Sequence, residues 1–449
     1  MAPDGPTAEG GGDVTAAEGS ADARGEATGD APVGVDGIAV GDASASTVQG
    51  TVVDGYLVPM GGIDVRSQGQ KATTATDGTF TLTGITRPYS ATVVAPQGPG
   101  RKHGYVFEGV SRLDPTLQLA GEQSQVTQKA TLAGAMSTNA PNAAGIVFAD
   151  FPAGAPAVAP PTIPIAFGAT TYSGSLSWGG HPMVSPTVYV LQWLTTGNLP
   201  STYIAFESAT QTLTGGGTTL WSPPLTPTLA AGSMTVTVKP SSGYVPIDIG
   251  VYLRPQGAGI AVPIEHGVNS GATTSTVITP DIPNATFVAC GLQVRDDFDG
   301  GAAQPFGYTC ATGLDSSNSP TLQPPPATTF MQPPSTAGVG TVFNYAPLTG
   351  GVYFVAFAPR GNAATTSDVL FVVTGATQAA VPDLSLLAFV IHPGDTFAAE
   401  VFGVAPFSGI DGALGPAGYS ERLNNYRLDT GPSTSGSLAY GGSAPFTAQ

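Results

Sequence analysis

Three runs decide the fold: Ser46–Gly55 (STVQGTVVDG), Ile63–Ile85 (IDVRSQGQKATTATDGTFTLTGI) and Tyr89–Pro96 (YSATVVAP). In them apolar residues alternate with polar ones, at Val48/Gly50/Val52, Ile63/Val65, Phe80/Leu82 and Tyr89/Ala91/Val93. That is the period-2 pattern of strands with one buried face. Thr76-Asp77-Gly78 sets a residue that hydrogen-bonds its own backbone beside one that tolerates positive φ, which is hairpin-turn chemistry. The stretch from Thr47 to Pro96 reads as a small β-sandwich.

The order Val48-x-Gly50-x-Val52, Pro59-x-Gly61-Gly62-x-x-Val65, Thr76-Asp77-Gly78-x-Phe80-x-Leu82-x-Gly84-Ile85 and Tyr89-x-Ala91-x-Val93 resembles the carboxypeptidase regulatory-like domain family. Members have a transthyretin-like seven-stranded sandwich grouped with carbohydrate-binding-like folds, and the likeness covers about a fifth of the chain. The resemblance implies a non-catalytic accessory, surface or binding module.

Working outward, 449 residues are too many for one core and suggest about three domains. Gly (61) and Pro (41) are frequent while Lys and Arg together number 14, a mixture that argues against long amphipathic helices. The segments between the breakers carry Val, Thr, Tyr, Phe and Ile, which suit a pleated surface. The expected class is all-β: tandem antiparallel β-sandwich modules of Ig or transthyretin type behind a disordered N-terminal tail.

The formal charge of −17 is uneven, because residues 1–46 hold nine acids against Arg24 alone, leaving −9 for the remainder. Low hydrophobicity and same-sign charge in that segment cannot offset an ordering entropy of roughly 1–2 kcal/mol per residue, so 1–46 reads as a tether or an inert leader. Clustered Lys or Arg, which phosphate binding requires, are missing, and nucleic acid and anionic membrane surfaces fall away as partners. No 18-residue apolar run suggests a transmembrane helix. Met1-Ala2-Pro3-Asp4 has neither the basic start nor the apolar core of an export signal. Either an upstream export or lipoprotein signal, with its lipid anchor, is missing from this sequence, or the protein stays inside. The first is favoured, which points to the extracellular space or the cell surface, as an outer-membrane lipoprotein.

In chain order, residues 47–121 form the first sandwich, with further strands around Tyr105–Phe107 and Leu117–Leu119. A second module is expected over 122–213 and a third over 214–319, each from short apolar-alternating runs separated by turn residues. Residues 320–336, rich in proline, read as a stiff extended linker. The last module, 337–449, carries Tyr353-x-Val355, Val369-x-Phe371-x-Val373-Thr374, Val381-Pro382-Asp383-Leu384-Ser385, Gly394 and Val401. That order resembles divergent fibronectin type III-like domains that end multi-module bacterial surface lipoproteins. Where such domains often have Trp in the strand Thr396–Val401, this chain has Phe397.

Little catalytic chemistry is visible. His103, His181, His266 and His392 stand in no His-x-x-Glu zinc motif, and Gly174-Ser175-Leu176-Ser177-Trp178-Gly179 has the wrong spacing for a serine nucleophile elbow. Asp297-x-Asp299-Gly300 offers hard oxygen ligands two residues apart, the front half of many Ca²⁺ loops, but lacks the closing Glu. The alternative is a plain hairpin tip with Arg295 pairing an Asp, and no other cofactor is expected. Cys290 and Cys310 lie on apolar runs flanking that loop, either bridged across a hairpin or both reduced and buried. Flat aromatic faces stack on pyranose rings, which makes Trp178, Trp221 and Tyr172 candidate sugar contacts, against the alternative that each belongs to a core. Trp221, between Gly215–Thr219 and Pro223-Pro224, is the best placed for exposure. The leading functional reading is a non-catalytic surface module binding carbohydrate or a protein partner. A purely structural stalk, spacer or adhesin is the alternative, and an enzyme of unrecognised type comes last.

Overall fold

The computed structural model describes residues 45–449 apart from 98–100, 137–141, 153, 197–198, 226–228, 268–272, 298–303, 362–367, 386–390 and 420–433. Of the expected tether, 1–46, all but Ala45 and Ser46 lies outside the described residues. The protein is all-β: among the described residues the one helix is α1, Ile410–Ala413. No helix among them is long and apolar enough to cross a membrane.

The alternating stretch folds as the first of four strand sets. It comprises β1 (Ser46–Asp54), β2 (Asp64–Ser67), β3 (Gln70–Thr73), β4 (Thr79–Ile85), β5 (Tyr89–Gln97), β6 (Arg101–Val110) and β7 (Thr116–Leu119). One sheet runs β4-β1-β7, with β1 antiparallel to β4 and parallel to β7; the other strands order as β3-β2-β5-β6. Val48, Val52, Phe80, Leu82, Val65 and Val93 meet between the sheets, as their period requires. At the turn, Asp77 Oδ1 accepts hydrogen bonds from the Thr79 amide (3.1 Å) and hydroxyl (2.7 Å), and Gly78 takes a φ of 76°.

The same wiring recurs. The second set is β8 (Thr127–Ala135), β9 (Ala143–Asp150), β10 (Thr162–Ile165), β11 (Thr171–Gly179), the short β12 (Met183–Val184), β13 (Thr187–Thr196), β14 (Leu199–Thr210), the short β15 (Leu213–Thr214) and β16 (Thr218–Leu220). Its sheets run β11-β8-β16 and β10-β9-β13-β14, with β12 pairing β15. The third set is β17 (Ala230–Val238), β18 (Tyr244–Arg254), β19 (Val262–Gly267), β20 (Thr274–Asp281), β21 (Thr286–Arg295), β22 (Phe306–Leu314) and β23 (Thr321–Leu322). Its strands order as β20-β17-β23 and β19-β18-β21-β22. In all three sets the opening strand is central, antiparallel to one neighbour and parallel to the closing strand. The register agrees too. Thr51, Thr131 and Thr237 face Thr116, Thr218 and Thr321, and their amides donate to Pro115, Gly217 and Pro320 carbonyls at 2.9, 2.9 and 3.0 Å. The closing strands β16 and β23 lie beyond the expected module limits at 213 and 319.

The fourth set is β24 (Phe330–Met331), β25 (Thr336–Ala337), β26 (Val342–Tyr345), β27 (Val352–Pro359), β28 (Val369–Thr374), β29 (Gln378–Ala380), β30 (Thr396–Ala405) and β31 (Gly436–Ala448). Its larger half orders as β28-β27-β30-β31, matching the other sets. In its smaller sheet, β24-β26-β29, the place of the closing strand beside the central β26 is taken by β24, which precedes it and runs antiparallel.

Three of the four larger halves fuse into one 13-stranded sheet. β6 pairs in parallel with β28, joining the first set to the fourth, and β22 pairs antiparallel with β31, joining the third to the fourth. Successive residues of a strand point to opposite faces. Accordingly Val352, Phe354 and Val373 of the fourth set pack into the first core, while Val106 of the first set packs into the fourth. The first and fourth sandwiches therefore stand on opposite faces of the sheet they share. The second set packs through Phe148, Tyr189, Leu191 and Tyr203 against the third core.

The proline-rich stretch 320–336 is part of this packing. Leu322 is buried in the third core, and Ala327 and Thr328 are 4% and 0% exposed. Gln293 Nε2 donates to the Pro324 and Pro325 carbonyls at 2.9 and 2.8 Å. The backbone approaches β22 so closely that a Cβ on Gly307 would stand 1.7 Å from the Pro325 carbonyl oxygen. Extended proline backbone cannot donate to a ladder, but its carbonyls accept, and a buried glutamine amide supplies the donors.

Candidate functional site

The aromatic candidates do not form a surface. Trp178 is fully buried, Tyr172 is 5% exposed and Trp221 9%, and all three belong to the core of the second sandwich. The expectation that Trp221 is exposed is therefore corrected. Directly after β16 its amide donates to the Ala133 carbonyl at 2.9 Å, and its own carbonyl accepts from the Tyr172 hydroxyl at 2.7 Å. Gly134 makes this possible, since a Cβ there would lie 1.7 Å from the Trp221 carbonyl oxygen. Burial pushes the Tyr172 hydroxyl up to about 12, so it remains a donor. The Trp178 indole donates to the His181 carbonyl at 2.8 Å. The Trp178 indole and the Tyr172 hydroxyl are thus satisfied internally, and all three rings are packed in the core rather than laid open to a sugar.

Of the candidate calcium ligands, Asp299 lies outside the described residues. Asp297 is exposed and paired with Arg295, whose Nε donates to Asp297 Oδ1 at 2.8 Å. Among the described residues no three His, Cys, Asp or Glu side chains gather as a metal site would require. Cys290 and Cys310 stand opposite each other in the β21–β22 register and are joined as a disulfide.

Buried charge gathers instead where the strand sets meet, which local sequence pattern did not reveal. Asp54, at the end of β1, is fully buried. Its Oδ1 accepts from the amides of Tyr56 (2.8 Å) and Val58 (3.0 Å), and its Oδ2 from the amide and hydroxyl of Ser124 (both 2.8 Å). It thus fixes the first turn and the passage into the second set. Glu122, 5% exposed, meets His103 Nδ1 at 2.6 Å and accepts from the Tyr105 hydroxyl at 3.0 Å. Phe371 of β28 stacks on Tyr105 at 4.7 Å and meets His103 edge-on at 5.5 Å. Burial, with the Glu122 carboxylate beside it, holds the Tyr105 hydroxyl far above its ordinary range, keeping it a donor. Asp411 of α1 accepts from the amides of Ser111 and Arg112 at 2.8 and 2.9 Å, closing the end of β6. Asp54 and Asp411 take backbone amides and so position the chain, whereas Glu122 ties together two side chains, His103 and Tyr105.

Two concavities are defined among the described residues. An apolar cavity of about 180 Å³ is lined by Phe357, Val381, Leu384, Ile391, Phe397 and Phe446 of the fourth set. A cleft of about 330 Å³, lined mostly by residues with polar side chains, runs along the β2–β3 hairpin to Asp383.

No protein-family model matches the chain, and no curated protein matches it. Among solved structures it is similar to the Bacillus anthracis TIE protein, with 11% identity and a TM-score of 0.15 over 62% of this chain and 50% of that one. It is similar to the streptococcal ancillary pilin, at 9% identity and a TM-score of 0.15 over 62% of this chain and 98% of the pilin. A putative adhesin from Bacteroides ovatus ATCC 8483 matches at 11% identity and a TM-score of 0.16, over 44% of this chain and 89% of that one. The chain spans half the length of the first of these. Likenesses this slight carry no functional argument.

Proposed function

We propose that this chain is a non-catalytic structural protein of the cell surface or extracellular space, a stalk or scaffold whose sandwiches are fused rather than strung. The observation that carries this reading is the 13-stranded sheet, in which the β6–β28 and β22–β31 ladders bind the first, third and fourth sets together. Separating sandwiches joined this way requires several backbone hydrogen bonds to break together and two cores to open. Separating sandwiches on a free linker requires neither. The Cys290–Cys310 disulfide supports an oxidising compartment.

Pulling the full chain from its two ends in a single-molecule force experiment tests the mechanical claim. The first and fourth sets are expected to rupture in one event. Four separate events, one per sandwich, would remove the basis of the proposal. Labelling of intact source cells by a membrane-impermeant amine reagent tests the location, and protection of the protein until lysis would count against the surface.

A further inference from the structure

We infer that the sandwiches carry tension along the chain, each through a parallel ladder that pulling loads in shear. The inference deepens the stalk reading and rests on it. Its basis is a pairing common to all four sets. In the first three the entering strand runs parallel to the leaving one: β1 to β7, β8 to β16 and β17 to β23. In the fourth, where β24 stands in the closing strand's place, β25 near the entrance runs parallel to the last strand, β31.

Tension draws the entering strand of a set by its N-terminal end and the leaving strand by its C-terminal end. In a parallel pair these are opposite ends of the ladder, so the strands must slide past each other and all the rungs are strained together. In an antiparallel pair they lie at the same end, and the rungs open one after another. The fourth ladder has rungs like those of the other three, with the Thr447 and Gln449 amides donating to the Ser335 and Ala337 carbonyls at 2.9 and 3.0 Å.

The side chains repeat with the wiring. Each ladder opens on a threonine facing a threonine, Thr336 and Thr447 in the fourth as in the pairs of the first three. These β-branched residues are stiff and suit a pleated surface. The pair after the threonines is buried in three of the ladders: Val52 with Leu117, Val238 with Leu322, and Ala337 with Ala448. Burial keeps away the water that would otherwise take over a strained backbone bond. The first ladder is the longest, with four register pairs from Thr51 facing Thr116 to Asp54 facing Leu119. A further bond, from the Gly55 amide to the Glu122 carbonyl at 3.0 Å, extends it.

The test is single-molecule pulling on the full chain with one handle at its N-terminal end. The second handle is attached through a click-reactive residue at Gln123, beyond the C-terminal end of β7, or at Asp114, before its N-terminal end; both positions are exposed. The first arrangement shears the β1–β7 ladder and the second peels it. Melting curves without load confirm that each labelled chain is folded. At one loading rate the sheared ladder is expected to rupture at about twofold or more the force of the peeled one, because its rungs fail together. A force no greater in shear than in peeling overturns the inference. The stalk reading is judged separately, by surface labelling and by the number of rupture events, so its failure would leave this ratio unchanged.

Discussion

Val106 and Val372 stand opposite each other across the parallel β6–β28 ladder, one from the first sandwich and one from the fourth, 4% and 0% exposed. Both lie in the core of the fourth sandwich. A side chain that reads locally as part of one sandwich is thus buried by another.

Val372→Ala should therefore weaken both. Removing two buried methyl groups costs about 2 kcal/mol including the cavity left behind. Scanning calorimetry of the full chain should show the transition that unfolds residues 46–121 moving together with that of the fourth set. Movement of the fourth alone would mean that the ladder does not couple them.

The disulfide closes a loop with a sequence separation of 20 residues beside the strand that carries the β22–β31 joint. A loop of that length constrains the unfolded chain by about 3 kcal/mol. Replacing both Cys290 and Cys310 with Ser should lower the denaturation midpoint by a corresponding amount, and reductant should then have no further effect on the variant.

Gly307→Ala should displace the proline segment. Its Cβ would meet the Pro325 carbonyl oxygen, a backbone atom that cannot rotate aside, and overpacking of this kind costs about 1–3 kcal/mol or more. Gln293→Ala should be destabilising as well, because it removes the donor from the buried Pro324 carbonyl and from the half-buried Pro325 carbonyl. The two losses should fall short of additivity in a double-mutant cycle, since both act on the same segment.

Glu108 gives stability a pH dependence of definite sign. Burial raises its carboxyl above the ordinary value, against a smaller opposing hydrogen bond from Thr374. The folded state then holds this proton more tightly than the unfolded state, so the group's contribution is most favourable at low pH and falls as pH rises through the raised value. Glu108→Gln should raise the melting temperature at pH 7, with the advantage fading below about pH 4. An advantage that grew toward acid would contradict the assignment.

Strands with one wet face were legible. Val48/Val52, Phe80/Leu82 and Val236/Val238 alternate with Thr and Gln, and each run formed a strand with its apolar side inward. Strands buried on both faces were harder to read. In β9, Ile146 to Ala149 is continuously apolar because Val147 and Ala149 enter the second core while Phe148 and Ile146 meet the third. Without alternation, no period marks it as a strand. Trp221 misled for a related reason. Its Gly- and Pro-rich neighbours read as an open loop, and the residue that admits it to the core, Gly134, lies far away in the chain.

The sequence alone determined what each short segment could be: an all-β chain with the Asp77-Gly78 turn, and two cysteines on apolar runs flanking one loop, whose pairing it left open. The tertiary structure decided how those segments were joined, which rings were hidden and which polar groups came to border a cleft. The reason is that sheets join through backbone N–H and C=O groups, which every residue but proline carries alike. No side-chain pattern announces that β6 will pair with β28 or β22 with β31, and only packing of the cores on both faces selects those partners.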